Sequence, residues 1–529
     1  MKKSLLFLLL LMSFVVKAQT YEVSGNQEGT WDCDTVLVVG DVVVPEENSL
    51  IIAEGTKVIF QDYYSILVEG SFSALGCEDD SIYFTVADTT GFYIWNSGQG
   101  GWNALTIQGA ETPVTIEYCN FSYGKAAENM TRGGALRIYD TEDVNINNCT
   151  FFHNFTREKG GALYAENSNL KITNCEIDNN LGYCEDGSYM HGAGFQFLNC
   201  SVNMEDMYFH DNYCSSCYGG GVNFDSCNVV VNKAIFEDNY AVNAGGVGIQ
   251  RSNDFEVRIS NVLLNNNIAY HYGGAMAMAT SSPLIQNVTM VNNYTIAAGG
   301  GAMQFFSEAR PVFKNCIIWG NDWYESQDTF DDASQIFVWG SDCAPEFYYS
   351  VLEGGLKQIH GNQYVAVYDH QTMVETDPLF VDTVNRDFQL LPESPAINRG
   401  TIDTTGLSIP PIDLAGNQRI IDDRIDMGCY ESNVTSLKDI YSSNKNVNIY
   451  PNPINANSVC EFLLRNESNV NVKIFNQKAS LISVKNYGKM KPGMNEIPMS
   501  DFIVSLQKNN VYLLSIESEE ETINIKFIY

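Results

Sequence analysis

The chain predicts an all-β protein, a solenoid of stacked coils followed by a small β-sandwich, on three observations. Glycine pairs or near-pairs recur at Gly133-Gly134, Gly160-Gly161, Gly192-Ala193-Gly194, Gly219-Gly220, Gly245-Gly246, Gly273-Gly274 and Gly299-Gly300, at steps of 27, 32, 27, 26, 28 and 26 residues. In phase with them runs an apolar-x-x-Asn series: Phe151/Asn154, Ile177/Asn180, Phe209/Asn212, Phe236/Asn239, Leu264/Asn267, Met290/Asn293 and Ile318/Asn321. Between the two series, apolar residues alternate with a period of two, as in Leu136-x-Ile138 and Val144-x-Ile146, which is the strand period. A unit of about 27 residues that holds two or three short strands cannot bury its own apolar face, so it must stack on its neighbours.

Taken in order, the chain begins with Lys2 and Lys3, an apolar run from Leu5 to Val16, and Val16-Lys17-Ala18 before Gln19. This reads as a signal peptide over residues 1–18, cut between Ala18 and Gln19. No later stretch reaches the ~18 apolar residues of a membrane span, so no transmembrane segment is expected. Export places the 14 cysteines in an oxidising environment. Residues 19–432 are assigned to a right-handed parallel β-helix, with regular repeats over about 121–321. Coiling puts like residues about 4.8 Å apart, one above the other. Ile146, Ile172, Met204, Val231, Ile259, Ile285 and Phe313 then form an apolar stack, and the asparagines an amide ladder. Cys119, Cys149, Cys175 and Cys316 share a column with Met207, Ala234, Val262 and Val288, a small-apolar core position. Residues 433–446 read as a polar linker and 447–529 as the sandwich, with alternating strands through Val511-Tyr512-Leu513-Leu514 and Ile523-x-Ile525-x-Phe527.

Three resemblances attach to these motifs. Gly-Gly-Ala-Leu at 133–136 and 160–163, with Phe-x-x-Asn at 151–154, 209–212 and 236–239, resembles the repeats of polymorphic outer-membrane proteins. Asp377-Pro378-Leu379-Phe380, Ser394-Pro395-Ala396-Ile397, Asp413-Leu414-Ala415-Gly416-Asn417 and Asp426-Met427-Gly428-Cys429-Tyr430-Glu431 resemble the choice-of-anchor Q segment that closes secreted β-helices, placed here at about 377–431. The tail, with Tyr450-Pro451-Asn452-Pro453, is similar to the type A C-terminal sorting domain of the type IX secretion system. That resemblance implies a secretion machinery as partner, and a location outside the outer membrane, released or surface-attached.

Net charge sets the ligand classes. With 30 Lys and Arg against 64 Asp and Glu, a net −34, nucleic acid is not a partner, and anionic membranes and anionic glycans are disfavoured. Lys171 and Arg258 share a column but stand three coils apart, and no lyase-like base is assembled. Asp331-Asp332 and Asp422-Asp423 read as solvated loop acids, and no catalytic residue is assigned. Just after the ladder, Tyr213, Tyr240 and Tyr294, in a column with Phe155, Leu181 and Ile268, are candidates for stacking a sugar ring, against the plainer reading of turn residues packed on one another. Just before it, Asp178, Asp211, Glu237 and Asp238 are the weak Ca²⁺ candidates, against a hydrated acidic face; no other cofactor is expected. Cys184, Cys214 and Cys217 fall in adjacent loops and read as a disulfide staple; a Cys3His zinc site with His191 is the alternative. The sequence therefore predicts an exported scaffold that binds a glycan or a protein. A polysaccharide lyase or glycoside hydrolase on the same helix, and a structural surface protein, are the alternatives. An Arg or Lys close to two Asp carboxylates in a groove separates the enzyme from the scaffold.

Overall fold

The protein is described from a computed structural model. It covers residues 20–110, 113–127, 132–183, 190–297, 299–323, 335–401, 405, 409–421, 424–432, 447–464, 466–476, 480–508, 510–518 and 522–529. The signal-peptide positions Ala18 and Gln19, Cys184, and both acid pairs Asp331-Asp332 and Asp422-Asp423 lie outside the described residues. The chain divides into two compact units, Met1–Glu431 and Ser432–Tyr529.

The first unit is a parallel β-helix, as the periodicity predicts. Each coil carries a first strand such as Leu163–Glu166, then a long run such as Asn169–Asp178 that bends in its middle to make the second and third, then a short fourth such as Leu181–Gly182. Among the described residues the first three kinds form one 32-stranded sheet and the fourth a separate 10-stranded one. Every pairing in the long sheet is parallel, coil on coil, and parallel crossovers of this kind are right-handed. The stack reaches beyond the regular repeats in both directions, from Thr20–Asn26 to Val367–Tyr368.

Register fulfils the predicted columns. Ile146, Ile172, Met204, Val231, Ile259, Ile285 and Phe313 pair in that order and are buried. Phe121 and Phe151 stack at 4.9 Å between ring centres, Phe209 and Phe236 at 4.8 Å, which is the strand spacing. The Asn ladder is continuous: each Nδ2 donates to the next Oδ1 at 2.8–3.0 Å from Asn154 to Asn321. Each Nδ2 also donates to a backbone carbonyl of the coil before, and each Oδ1 accepts a backbone N–H, so buried amides are satisfied. The ladder ends through Gln335 on the Glu353 carboxylate.

Corners explain the sequence signals. The glycine corner is left-handed at Gly133, Gly160, Gly192, Gly219, Gly273 and Gly300, and at Ala244 in the remaining coil. The corner is thus one residue before Gly245 and one after Gly299, a shift from the pairs read in the sequence. The next position is glycine for closeness: a Cβ on Gly134 would lie 2.1 Å from the Gly161 carbonyl oxygen. Asn179, Asp211, Asp238, Asn266 and Asn292 all have φ between 52° and 56°. Asn and Asp tolerate that region best among residues with a Cβ, so this acidic column recurs because the backbone turns there.

The segment predicted to close the helix does something else. The described residues of 377–431 fold back along the outer face of the third strands, where Phe380, Phe388, Leu390, Met427 and Cys429 pack. They cover outward-facing Ile235, Leu263, Val291 and Ile317, which are apolar. Arg419, wholly buried, donates to Glu431 at 2.8 Å, to the Gly428 and Cys429 carbonyls, and to Asn261 of the helix. Asp413 accepts from the backbone of Asn417 and Glu431. The motif residues therefore build a buried polar clamp.

The second unit pairs a three-stranded antiparallel sheet with a four-stranded one around Cys460, Phe462, Val472, Ile474, Leu514 and Phe527. Its Tyr450-Pro451-Asn452-Pro453 turn ties the first strand to the last. The Asn452 side chain accepts the Ile528 N–H at 2.8 Å, and Ser458 donates to the Pro451 carbonyl at 2.9 Å.

Candidate functional site

The folded-back segment leaves the earlier coils' third-strand face uncovered. Its outward positions, Asn120, Thr150, Glu176 and Tyr208 in one row and Phe152, Asp178 and His210 in the next, are aligned by register. A cavity of about 320 Å³ opens on this face, lined by Tyr83, Asn120, Thr150, Phe152, Glu176 and Asp178 among others.

His210 organises its far edge. Its Nε2 lies 3.0 Å from Glu176, and its Nδ1 lies 3.3 Å from Asp178 and 2.9 Å from Asp211. The ring stacks on Tyr208 at 4.2 Å. Burial works against the imidazolium, but the hydrogen bonds to Asp211 and Glu176 and the Asp178 charge outweigh it, so His210 titrates above its ordinary range. Asp178 is raised, by burial first, with the His210 charge opposing. Asp178, His210 and Asp211 bring their ligand atoms within 4.8 Å of one another, a spacing that suits a divalent cation. A metal bound there would compete with the proton on His210, whose pKa these acids raise.

The other two calcium candidates are engaged differently. Glu237 and Asp238 face Arg386 of the folded-back segment at 3.0 and 2.6 Å. Asn265 and Tyr208 donate to Glu237, and Asn266 to Asp238. The four predicted acids thus split between His210 and an ion pair that docks the segment. Nothing in the sequence marked Arg386 as their partner, because it lies 148 residues from Asp238.

Tyr213 and Tyr240 stack on each other at 4.8 Å with a 10° tilt, Tyr213 remaining 46% exposed. Ile268 separates them from Tyr294 in the register, so the three do not form one continuous aromatic surface. Rings stacked coil on coil turn their edges, more than their faces, to solvent. Cys214 and Cys217 are joined as a disulfide beside Ala193 and Ala241. The core cysteines Cys119, Cys149, Cys175 and Cys316 are free thiols, and burial pushes Cys316 up to about 12.

Several of the described basic groups are engaged in the same way. Lys171 and Arg258 occupy one row with Asn203 and Val230 between them, and Arg258 pairs with Glu256 at 2.5 Å. Arg386 meets one Glu and one Asp, and its hydrogen bond to Asp238 raises its pKa, so it stands there as the cation of an ion pair. Arg132 meets Glu158 and Glu166.

No curated protein matches the chain. Residues 73–262, the coils that carry His210 and the tyrosine stack, match the family described as right handed beta helix region. Over that stretch the chain is similar to this family, and its fold is a right-handed parallel β-helix.

Proposed function

We propose that this is an exported β-helix scaffold, carried across the outer membrane by its C-terminal sandwich and presenting a long rigid surface to an extracellular glycan or protein. The observation that carries this reading is the fate of its charges. Arg386, Arg419, Glu237, Asp238, Asp413 and Glu431, one cluster from which a catalytic set could be drawn, are spent on holding the folded-back segment together and against the coils. The signal peptide and the Tyr-Pro-Asn-Pro tail support export, and the polymorphic-outer-membrane-protein-like repeats support a surface location. Ca²⁺ at Asp178 and Asp211 is part of this proposal, as an occupant that competes with the proton on His210.

A hydrolase on the same face is the second reading, favoured by the raised Asp178 beside Glu176 and Asp211. Screening the chain from Gln19 onward against a glycan array, with detection of released sugars, separates the two. Retention without product supports the scaffold; time-dependent reducing ends that disappear in Asp178→Asn support the enzyme.

A further inference from the structure

On the opposite side of the coil, the first strands' outward row contains a gap. Asn223, Gly248, Ala277 and Gln304 follow one another in register, so two coils offer almost no side chain between two amides. A wall rises beside this floor: Tyr218, Asn243 and Tyr272, in register ahead of the left-handed corners. Phe306 and Trp339 close the far side, and the resulting cleft of about 270 Å³ is lined by Tyr218, Tyr272, Gln304, Phe306, Ser307 and Trp339. It lies just below the ~300–1,000 Å³ range of drug-sized ligand pockets, room for one or two small rings.

Two independent features mark it as built to hold something. Aromatic rings line it on two sides: Tyr218 and Phe306 lie 6.3 Å apart, and Trp339 is 58% exposed, a costly way to leave an indole without a use. The floor, in turn, holds an orphan acceptor. Gln304, which lines the cleft, is 2% exposed, and its Oε1 has no partner. Buried acceptors left unpaired are uncommon and call for a donor. A ligand that offers apolar ring faces to aromatic walls and hydroxyl donors to amide oxygens is a saccharide. The net charge of −34 selects against an acidic one.

We infer that this cleft binds a neutral saccharide, with Trp339 and Tyr272 as the stacking walls and Gln304 as the hydrogen-bonding floor. The inference rests on the binding reading above and names its ligand class and place. The test is a titration of the full secreted chain with neutral and uronic-acid oligosaccharides, followed by tryptophan fluorescence and calorimetry. Wild type is expected to bind a neutral series and not the acidic one. Trp339→Ala and Tyr272→Ala each lose about tenfold or more in affinity. Gln304→Met loses affinity while its melting temperature holds or rises, since the substitution removes an orphan carbonyl; a purely structural Gln304 would instead lose stability. Tyr213→Ala leaves binding unchanged. Binding that survives Trp339→Ala, or a preference for acidic sugars, overturns the cleft and leaves the scaffold reading standing. Absence of any saccharide binding overturns the cleft as well, and the scaffold is then judged separately by whether the surface-displayed chain retains a protein partner.

Discussion

Asn212 shows what one residue contributes here. Its Oδ1 accepts from the Asn180 side chain and backbone, and its Nδ2 donates to Asn239 and to the Ile177 carbonyl. Alanine at this position strands several buried donors and acceptors at once, each costing about 1–3 kcal/mol. Asn212→Ala is therefore expected to destabilise the helix by about 3 kcal/mol or more, read from the urea midpoint at unchanged m-value. His210 makes a pH prediction. Its folded pKa is raised, so its contribution is complete below the unfolded value near ~6.5 and is lost as pH rises through the folded value. Melting temperature should fall with rising pH over that window in wild type, and His210→Gln should flatten the slope. The acidic column next to the ladder was readable in the sequence, but its cause was not: Asp and Asn recur there because φ is positive.

At the scale of elements, the folded-back segment is the feature that sequence patterns under-described. Four motifs placed it as a closing segment, and none of them indicated which face of the coils it would cover. The available signal was the apolar residues Ile235, Leu263, Val291 and Ile317 at outward positions, where an exposed sheet face carries polar ones. Arg419→Met strands the Glu431 carboxyl, the Gly428 and Cys429 carbonyls and the Asn261 side chain without their shared donor, each costing about 1–3 kcal/mol. Hydrogen exchange should then show Leu263 and Val291 exposed while the Asn-ladder coils stay protected. Burial, reinforced by Asp426 and opposed by Arg419, lifts Glu431 to about 8. A carboxyl raised on folding stabilises fully below its unfolded pKa and loses that contribution as pH rises through the folded one. The segment should accordingly loosen between pH ~4.5 and ~8, and Glu431→Gln should remove that dependence in the same exchange experiment.

For the whole molecule, cooperativity follows from topology. Each coil contacts its neighbours, so stability accumulates along the stack, while the ladder and the clamp couple coils that would otherwise fray independently. The C-terminal unit closes on itself through Asn452 and Ile528. On the export route proposed above, Asn452→Ala, by unpinning the last strand, is expected to leave the chain in the periplasm with its first unit folded; cell fractionation checks this.

Composition and period alone determined the β-helix, the strand parity, the columns and the amide ladder, because stacking forces residues one coil apart into contact and so writes three-dimensional neighbours into a linear repeat. Tertiary structure alone decided which acids meet His210 and which meet Arg386, where the folded-back segment lies, and that a cleft lined by Tyr272, Gln304 and Trp339 stands next in register to Gly248 and Ala277. Those contacts join residues that share no repeat position, or depend on the absence of a side chain, and neither leaves a periodic trace.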